Sequence, residues 1–397
     1  MGKSTSTSVL VIGGGMAGLT AACELHERGV DIIILEAAHR LGGRVESVIT
    51  RSCSRVDIGG AWIGHDHHRL RSLATQAQST VYKSPPSGLP LIIHNNRRIP
   101  IYSPAILLTG IIIAFFDLLC RVGAPRKWNH VSIERAVSTV APMATTRRLL
   151  EAICTLSTTA ELPNCSIYAF AQAVPFAGGL NAMLSGQGGA QDALVEDSIG
   201  SIIDMMADRL GPSRIRTGMN VMNIDQDHNE VVVRTISGGE FRSARVVVTV
   251  PPPMLKSIAF HPHLSSKLQS SNKIHKWVWY TKQSPYSTSH SGRGSLAGNS
   301  SRIKLLLGPL AQFLGPQVLE PLEWHEKAWH QDELCGGGYM ALPFIGTEEG
   351  FLPMPHEPVG RIHWAGTETA QDHPGYIEGA IQSGQRVAKE IEVELDI

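Results

Sequence analysis

The stretch Ser8–Glu36, SVLVIGGGMAGLTAACELHERGVDIIILE, constrains this chain more than any other. Val9 to Ile12 is a run of branched apolar residues, the pattern of a strand buried on both faces of a parallel sheet. It leads into Gly13-Gly14-Gly15-Met16-Ala17-Gly18, which fits G-x-G-x-x-G. A helical pattern follows through Leu19, Ala22, Cys23 and Leu25 and stops near Gly29. Ile32 to Leu35 predicts the second strand, and Glu36 closes it. The glycines do different mechanical work. Gly13 permits the tight turn, Gly15 lets backbone approach a pyrophosphate, and Gly18 lets helix and strand pack closely. The helix N-terminus offers N–H groups and partial positive charge to phosphates. A carboxylate at the strand tip suits a pair of ribose hydroxyls. Strand, glycine turn, helix, strand and acid in this order predict a dinucleotide site.

At 397 residues the chain has room for two domains with sizeable cores. Its 35 basic and 35 acidic side chains cancel, which gives no reason to expect nucleic acid or an anionic membrane as partner. The six cysteines are scattered without metal-type spacing and read as the buried thiols of a reduced, cytoplasmic protein. The polar leader runs directly into the first strand and does not resemble a secretory signal. Its match to the N-myristoylation pattern is of a kind that arises easily. Ala105 to Cys120 is the most apolar segment, interrupted by Gly110 and Asp117. It falls short of the ~18 residues of a membrane span, so a buried or interfacial helix is expected and no transmembrane segment.

Two further glycine pairs follow the first unit, in Ala37-Ala38-His39-Arg40-Leu41-Gly42-Gly43-Arg44 and in Asp57-Ile58-Gly59-Gly60-Ala61-Trp62. LEAAHRLGGRVES followed by DIGGAWIG resembles the flavin-containing amine oxidases, the group of monoamine, polyamine and L-amino-acid oxidases. The resemblance implies an α/β fold: a Rossmann-like FAD-binding domain with an inserted α+β substrate-binding domain. The implied boundaries are 1–80, 193–256 and 336–397 for the FAD domain, and 81–192 with 257–335 for the substrate domain. It implies FAD contacts from Gly13, Gly15, Met16, Ala17, Gly18 and Glu36, then from Ala37, Arg40, Gly42, Gly43 and Arg44. Gly59, Gly60, Ala61 and Trp62 are implied to line the pyrophosphate, ribityl chain and ring, and Val221 to touch the adenine.

Near the end of the chain, RIHWAGTETAQDHPGYIEGAIQSGQ carries the family's Gly366-Thr367-Glu368 turn and the Gly375-Tyr376-Ile377 helix start. Tyr339 and Tyr376 fall on the positions of the aromatic pair that holds the substrate amine, where facing ring planes accept a nitrogen on their quadrupole faces. Lys276, in IHKWVWY, falls on the position of the lysine that manages water and oxygen at the flavin. Many monoamine oxidases attach the flavin through the residue before the first of these tyrosines; here it is Gly338, so non-covalent FAD is expected. The expected reaction converts a small amine to an imine with O2 as acceptor, in a protein that acts as a homodimer or alone.

Three departures stand out. Glu196-Asp197 replaces a glycine pair, Arg97 and Arg98 are the only candidates for a carboxylate-binding arginine of an L-amino-acid oxidase, and the segment after Pro285 is on the order of thirty residues short. The last leaves open a flavin-binding protein without amine oxidation. His65-Asp66-His67-His68 is crowded for a helix face and lacks a distant partner in the sequence, so no metal site is expected. Contact of His65 with cofactor or substrate stays open.

Overall fold

The first strand, β1 (Thr5–Ile12), alternates its side chains between two buried layers. Val9 and Val11 join Ile32 and Ile34 of β2 (Ile32–Leu35) in one layer. Leu10 and Ile12 join Ile33 and Leu35 in the other. This period of two with both faces apolar is what a central parallel strand requires, and each such side chain contributes ~1.5–3 kcal/mol on burial. The computed structural model describes residues 5–84, 92–94, 97–158, 161–264, 277–278, 299–339, 342–343, 345–346 and 356–396.

Between β1 and β2 runs α1 (Met16–Glu27). Small hairpins follow: β3 (Ser47–Ile49) with β4 (Arg55–Asp57), then, after α2 (His68–Gln76), β5 (Val81–Lys83) with the later β8 (Ala193–Val195). Strands β6 (Ile92–His94) and β7 (Arg97–Ile99) pair antiparallel. A helical region comes next: α3 (Pro104–Val122), α4 (Ile133–Val140), α5 (Ala144–Thr158), α6 (Ile167–Phe176) and α7 (Leu180–Leu184). It has its own core around Ile133, Leu150, Phe170 and Val174.

After α8 (Gly200–Leu210) the chain returns to the large sheet through β9 (Ile215–Arg216), β10 (Val221–Gln226), β11 (Val231–Thr235), β12 (Glu240–Val248) and β13 (Ala259–His261). A two-stranded piece, β14 (Trp277–Val278) with β15 (Leu342–Pro343), and the helix Asn299–Leu314 precede β16 (Ile362–Trp364) and the C-terminal helix Ile377–Glu394. The eight-stranded sheet runs β13-β10-β11-β12-β1-β2-β9, and β16 also pairs with β12. The nine-residue β12 divides one edge between two partners: residues 240–243 take antiparallel β11, and residues 246–248 take parallel β16. Its other edge pairs with β1. Strands β1, β12 and β16 therefore run in parallel, and each ends in a turn on the same side of the sheet, where sites in α/β sheets lie.

Helix α3 exceeds the expected 105–120 segment. At 19 residues it is long and apolar enough to cross a membrane by length and composition. Its inner face nevertheless belongs to the helical core: Phe116 stacks on Phe170 with ring centroids 5.6 Å apart.

Candidate functional site

Three strand ends and two helix starts build the dinucleotide end of the site. Gly13 has φ +108°, and a side chain there would meet Thr249 Oγ1 at 2.5 Å. That hydroxyl donates to the carbonyl of Ile12 at 2.9 Å, so the exit of β12 braces the exit of β1. A Cβ on Gly18 would lie 2.0 Å from the Gly13 carbonyl oxygen; only glycine lets α1 approach the strand this closely. The first bond within α1 runs from Leu19 N–H to Gly15 C=O. The N–H groups of Met16, Ala17 and Gly18 precede it, which is the donor set a pyrophosphate takes.

Glu36 stands where the ribose reading requires, at the tip of β2. Its Oε2 accepts the Gly14 N–H at 2.6 Å and its Oε1 the Ala38 N–H at 2.8 Å. Burial pushes its carboxyl above the ordinary range against the pull of those N–H donors. Val221, at the start of β10, is buried in the layer that also holds Leu35. The neighbouring backbone, Met219 N–H to Glu36 C=O at 2.8 Å, ties this strand to the same tip.

The second glycine turn closes over the first. Gly42 and Gly43 have φ +96° and +57°, and Gly42 N–H donates to Gly14 C=O at 2.9 Å. Arg40 spends its guanidinium on this turn, donating to Gly43 C=O at 2.9 Å and pairing with Glu46 at 2.8 Å. It shapes the turn's backbone and is already committed within the chain. Gly59 sits under Arg44, where a Cβ would meet the Arg44 carbonyl oxygen at 2.4 Å, and Gly60 N–H donates to that carbonyl at 3.0 Å. Gly60 also faces the Ile377 side chain; Ala61 and Trp62 follow at the surface, with Trp62 exposed.

Arg44 joins the early motifs to the late ones. It donates to Glu368 Oε1 at 2.7 Å and Oε2 at 3.2 Å, a two-pronged pair with a buried carboxylate, and to the Tyr339 carbonyl at 3.0 Å. Glu368 belongs to the turn after β16, where Gly366 (φ +140°) donates its N–H to Ser383 Oγ at 3.0 Å. Its neighbour Thr367 donates from Oγ1 to the Tyr376 carbonyl at 2.8 Å and accepts the Gly375 N–H at 2.7 Å. Two adjacent residues of one turn thus anchor the backbones of both tyrosines, Glu368 through Arg44 and Thr367 directly.

The tyrosine side chains differ in their surroundings. Tyr339, 41% exposed, donates its hydroxyl to the Leu156 carbonyl at 2.6 Å and does not line the cavity beside Tyr376; desolvation of its phenol, with the charge Tyr376 would carry, raises its pKa. Tyr376 caps the C-terminal helix; burial, with the charge of Asp66 beside it, pushes its phenol up to about 12. Both rings are neutral at physiological pH. Tyr376 lines a cavity of about 120 Å³ together with His65, Asp66, His67, His373 and backbone from residues 177–178 and 188–190. That is smaller than the ~300 Å³ of an ordinary ligand pocket.

The sequence reading gave no role to three residues here, although His67 was named in its histidine run. His373, with φ +53°, sets its Nε2 2.9 Å from Asp66 Oδ2. It also packs edge-on against His67, with ring centroids 4.9 Å apart. His67 is buried, accepts the Gly64 N–H on Nδ1 at 2.9 Å, and has its pKa lowered to about 4 by burial and by the charge of His373. Glu378, buried in the first turn of the C-terminal helix, accepts the N–H groups of Arg69 at 3.0 Å and Leu70 at 2.9 Å and so caps α2. The advance signals were the His65-Asp66-His67-His68 run and the D-H-P run before Gly375. Asp66, His67 and His373 present ligand atoms within 4.8 Å of one another. The bond from Gly64 puts the His67 proton on Nε2, which makes that ring a donor and disfavours a metal there.

Lys276 lies outside the described residues. Arg97 and Arg98 are exposed on β7 and do not line the cavity. Where Glu196-Asp197 replaces a glycine pair, Asp57 takes up the local backbone: it accepts the Ile199 N–H at 3.1 Å, and burial pushes its carboxyl up to about 6.

Comparison with known proteins agrees with this geometry. The pattern described as flavin containing amine oxidoreductase matches residues 164–282 and 288–392, and an NAD(P)-binding Rossmann-like domain matches residues 11–77. A probable flavin-containing monoamine oxidase A of Dictyostelium discoideum is 26% identical, with 99% of each chain covered. The flavin-containing amine oxidase B of Homo sapiens is 25% identical over 98% of this chain and 86% of its own. Among solved structures, cyclohexylamine oxidase from Brevibacterium oxydans superposes with a TM-score of 0.84 at 22% identity, covering 98% of this chain and 100% of the other. A putrescine oxidase triple mutant does so at 0.82 and 20%, covering 99% and 100%.

Proposed function

We propose, from the premise that this chain belongs to the flavin-containing amine oxidoreductases and is an FAD-dependent oxidoreductase acting on amines, that it converts a small primary or secondary amine to an imine, with O2 as final acceptor. Hydrolysis of the imine then gives an aldehyde or ketone and releases ammonia or an amine, while O2 takes up two electrons and two protons as hydrogen peroxide. When bound, FAD supplies the two-electron acceptor. The residues present fit it: the donor set at the start of α1, the Glu36 tip, and glycine turns whose close contacts exclude side chains.

The chain's own contribution is position and electrostatics. Tyr376, on the cavity wall, gives the nitrogen an aromatic approach. Neutral His67 puts no positive charge beside an arriving ammonium, and Asp66 supplies a carboxylate at the cavity wall. A FAD held without a covalent link is supported by Gly338 in place of a cysteine and by Cys335, whose buried thiol has its pKa pushed up to about 12. Free thiols at all six cysteines support a reducing, cytoplasmic setting.

The observation that carries this reading is the Arg44–Glu368 pair, which draws the first and last motifs and both tyrosine backbones together. The purified protein, mixed anaerobically with a panel of monoamines and diamines, should bleach its flavin absorbance, and peroxide should appear when air is admitted. Flavin that stays oxidised with every amine overturns the reading. After acid precipitation the yellow colour should stay in solution; a yellow pellet overturns the non-covalent assignment.

A further inference from the structure

The outer face of α3 carries Leu107, Ile111, Phe115, Leu118 and Val122, each between 56% and 77% exposed. Their spacing of four, four, three and four places them in one stripe along the whole helix. Tyr102, just before the helix, is 78% exposed. An apolar face of this extent on the surface marks a place where something other than water is met.

Charge identifies the partner. The chain as a whole is neutral, yet between residues 97 and 127 there are five basic residues, Arg97, Arg98, Arg121, Arg126 and Lys127, and one acid, Asp117. Asp117 is buried: its Oδ1 accepts the Leu180 N–H at 2.6 Å and its Oδ2 takes Arg121 at 2.9 Å. Arg97, Arg98, Arg126 and Lys127 are exposed and flank α3 on either side in the sequence. An apolar stripe with a tyrosine at one end and cations at both is the composition of a helix lying in a membrane interface. A second copy of the chain would set one basic cluster against another, so self-pairing through this face is opposed by charge.

We propose that α3 docks the protein, in the plane of the membrane, on a bilayer leaflet rich in anionic lipid. The helix lies on the bilayer and does not cross it, because its inner face is committed to the fold: Phe116 stacks on Phe170, Thr146 donates to Ala105 C=O at 3.1 Å, and Asp117 caps α7. The apolar stripe enters the headgroup boundary to a depth of ~5–10 Å while the basic side chains stay with the phosphates. Overall neutrality conceals this local excess.

Sedimentation of the full-length flavoprotein with vesicles tests the proposal, using phosphatidylcholine alone or mixed with phosphatidylserine. Binding is expected to the mixed vesicles, weakening as salt is added. Ile111→Glu with Phe115→Glu should abolish it, and Arg126→Gln with Lys127→Gln should weaken it by about twenty-five-fold, or about fivefold for each basic side chain removed. All four positions lie off the buried core, and unchanged flavin absorbance checks that each variant is folded. Failure of the wild type to bind mixed vesicles, or binding that the stripe variant leaves intact, overturns the proposal. So does a wild-type dimer that the stripe variant converts to monomers without any lipid binding, since the face would then belong to a second copy.

Discussion

The two ends of the site are made in different ways. At the dinucleotide end the working parts are backbone: glycine turns, helix N–H groups and the carbonyl contacts that glycine alone permits. At the cavity end they are side chains, with Asp66, His67, His373 and Tyr376 in mutual contact and two of them titrating far from their ordinary values. Backbone sites tolerate almost no change of shape, because a Cβ 2.0 Å from an oxygen must move a helix. Side-chain sites can change their chemistry on the same frame. In the function proposed above, the first end holds the cofactor and the second meets the substrate.

This contrast can be broken most severely at Gly18. Gly18→Ala should push α1 from β1, cost on the order of 3 kcal/mol of stability and yield protein purified without flavin, read by its absorbance spectrum and thermal melt. A stable, yellow Gly18→Ala protein would show the close approach to be dispensable. Next in size is the hinge between the ends. Glu368→Gln strips Arg44 of its buried partner and should cost about 3 kcal/mol in denaturant unfolding, with weakened flavin retention. A fall in amine turnover with stability and flavin unchanged would place Glu368 in the chemistry instead.

The cavity end is sharpened by pH. The imidazole of His67 has its folded-state pKa lowered from 6.5 to about 4, so the unfolded chain takes up the proton first. Stability from the neutral ring is present above pH 6.5 and is lost as pH falls toward 4. His67→Gln should therefore close the gap to the wild type, or overtake it, as melts are taken from about pH 7 down to about pH 4.5; parallel curves would show that the ring titrates normally. The smallest effect is expected from Tyr339→Phe, which leaves the Leu156 carbonyl without its donor and should cost about 1 kcal/mol while keeping the ring. A loss of several kcal/mol there would make the hydroxyl a structural keystone.

The same contrast explains what could be read in advance. The G-x-G-x-x-G unit, its strands and Glu36 were legible because glycine spacing and a period of two dictate local geometry, and β1, α1 and β2 fall where that reading puts them. The Gly366-Thr367-Glu368 turn was legible from its resemblance, and its contact with Arg44 follows from two motifs wanting the same place. The cluster of Asp66, His67 and His373 was not, because Asp66 and His373 stand 307 residues apart and meet only through packing of α2 against the C-terminal helix. Arg40 donates to carbonyls of its own turn, a local arrangement that glycine spacing does not specify. The sequence left α3 open between a buried and an interfacial helix, because an apolar run looks alike whether it is covered or bare.

The Arg44–Glu368 contact spans 324 residues of chain. During synthesis the glycine turns emerge well before the acid that pairs with Arg44, so this pair can close only after those 324 further residues have been made.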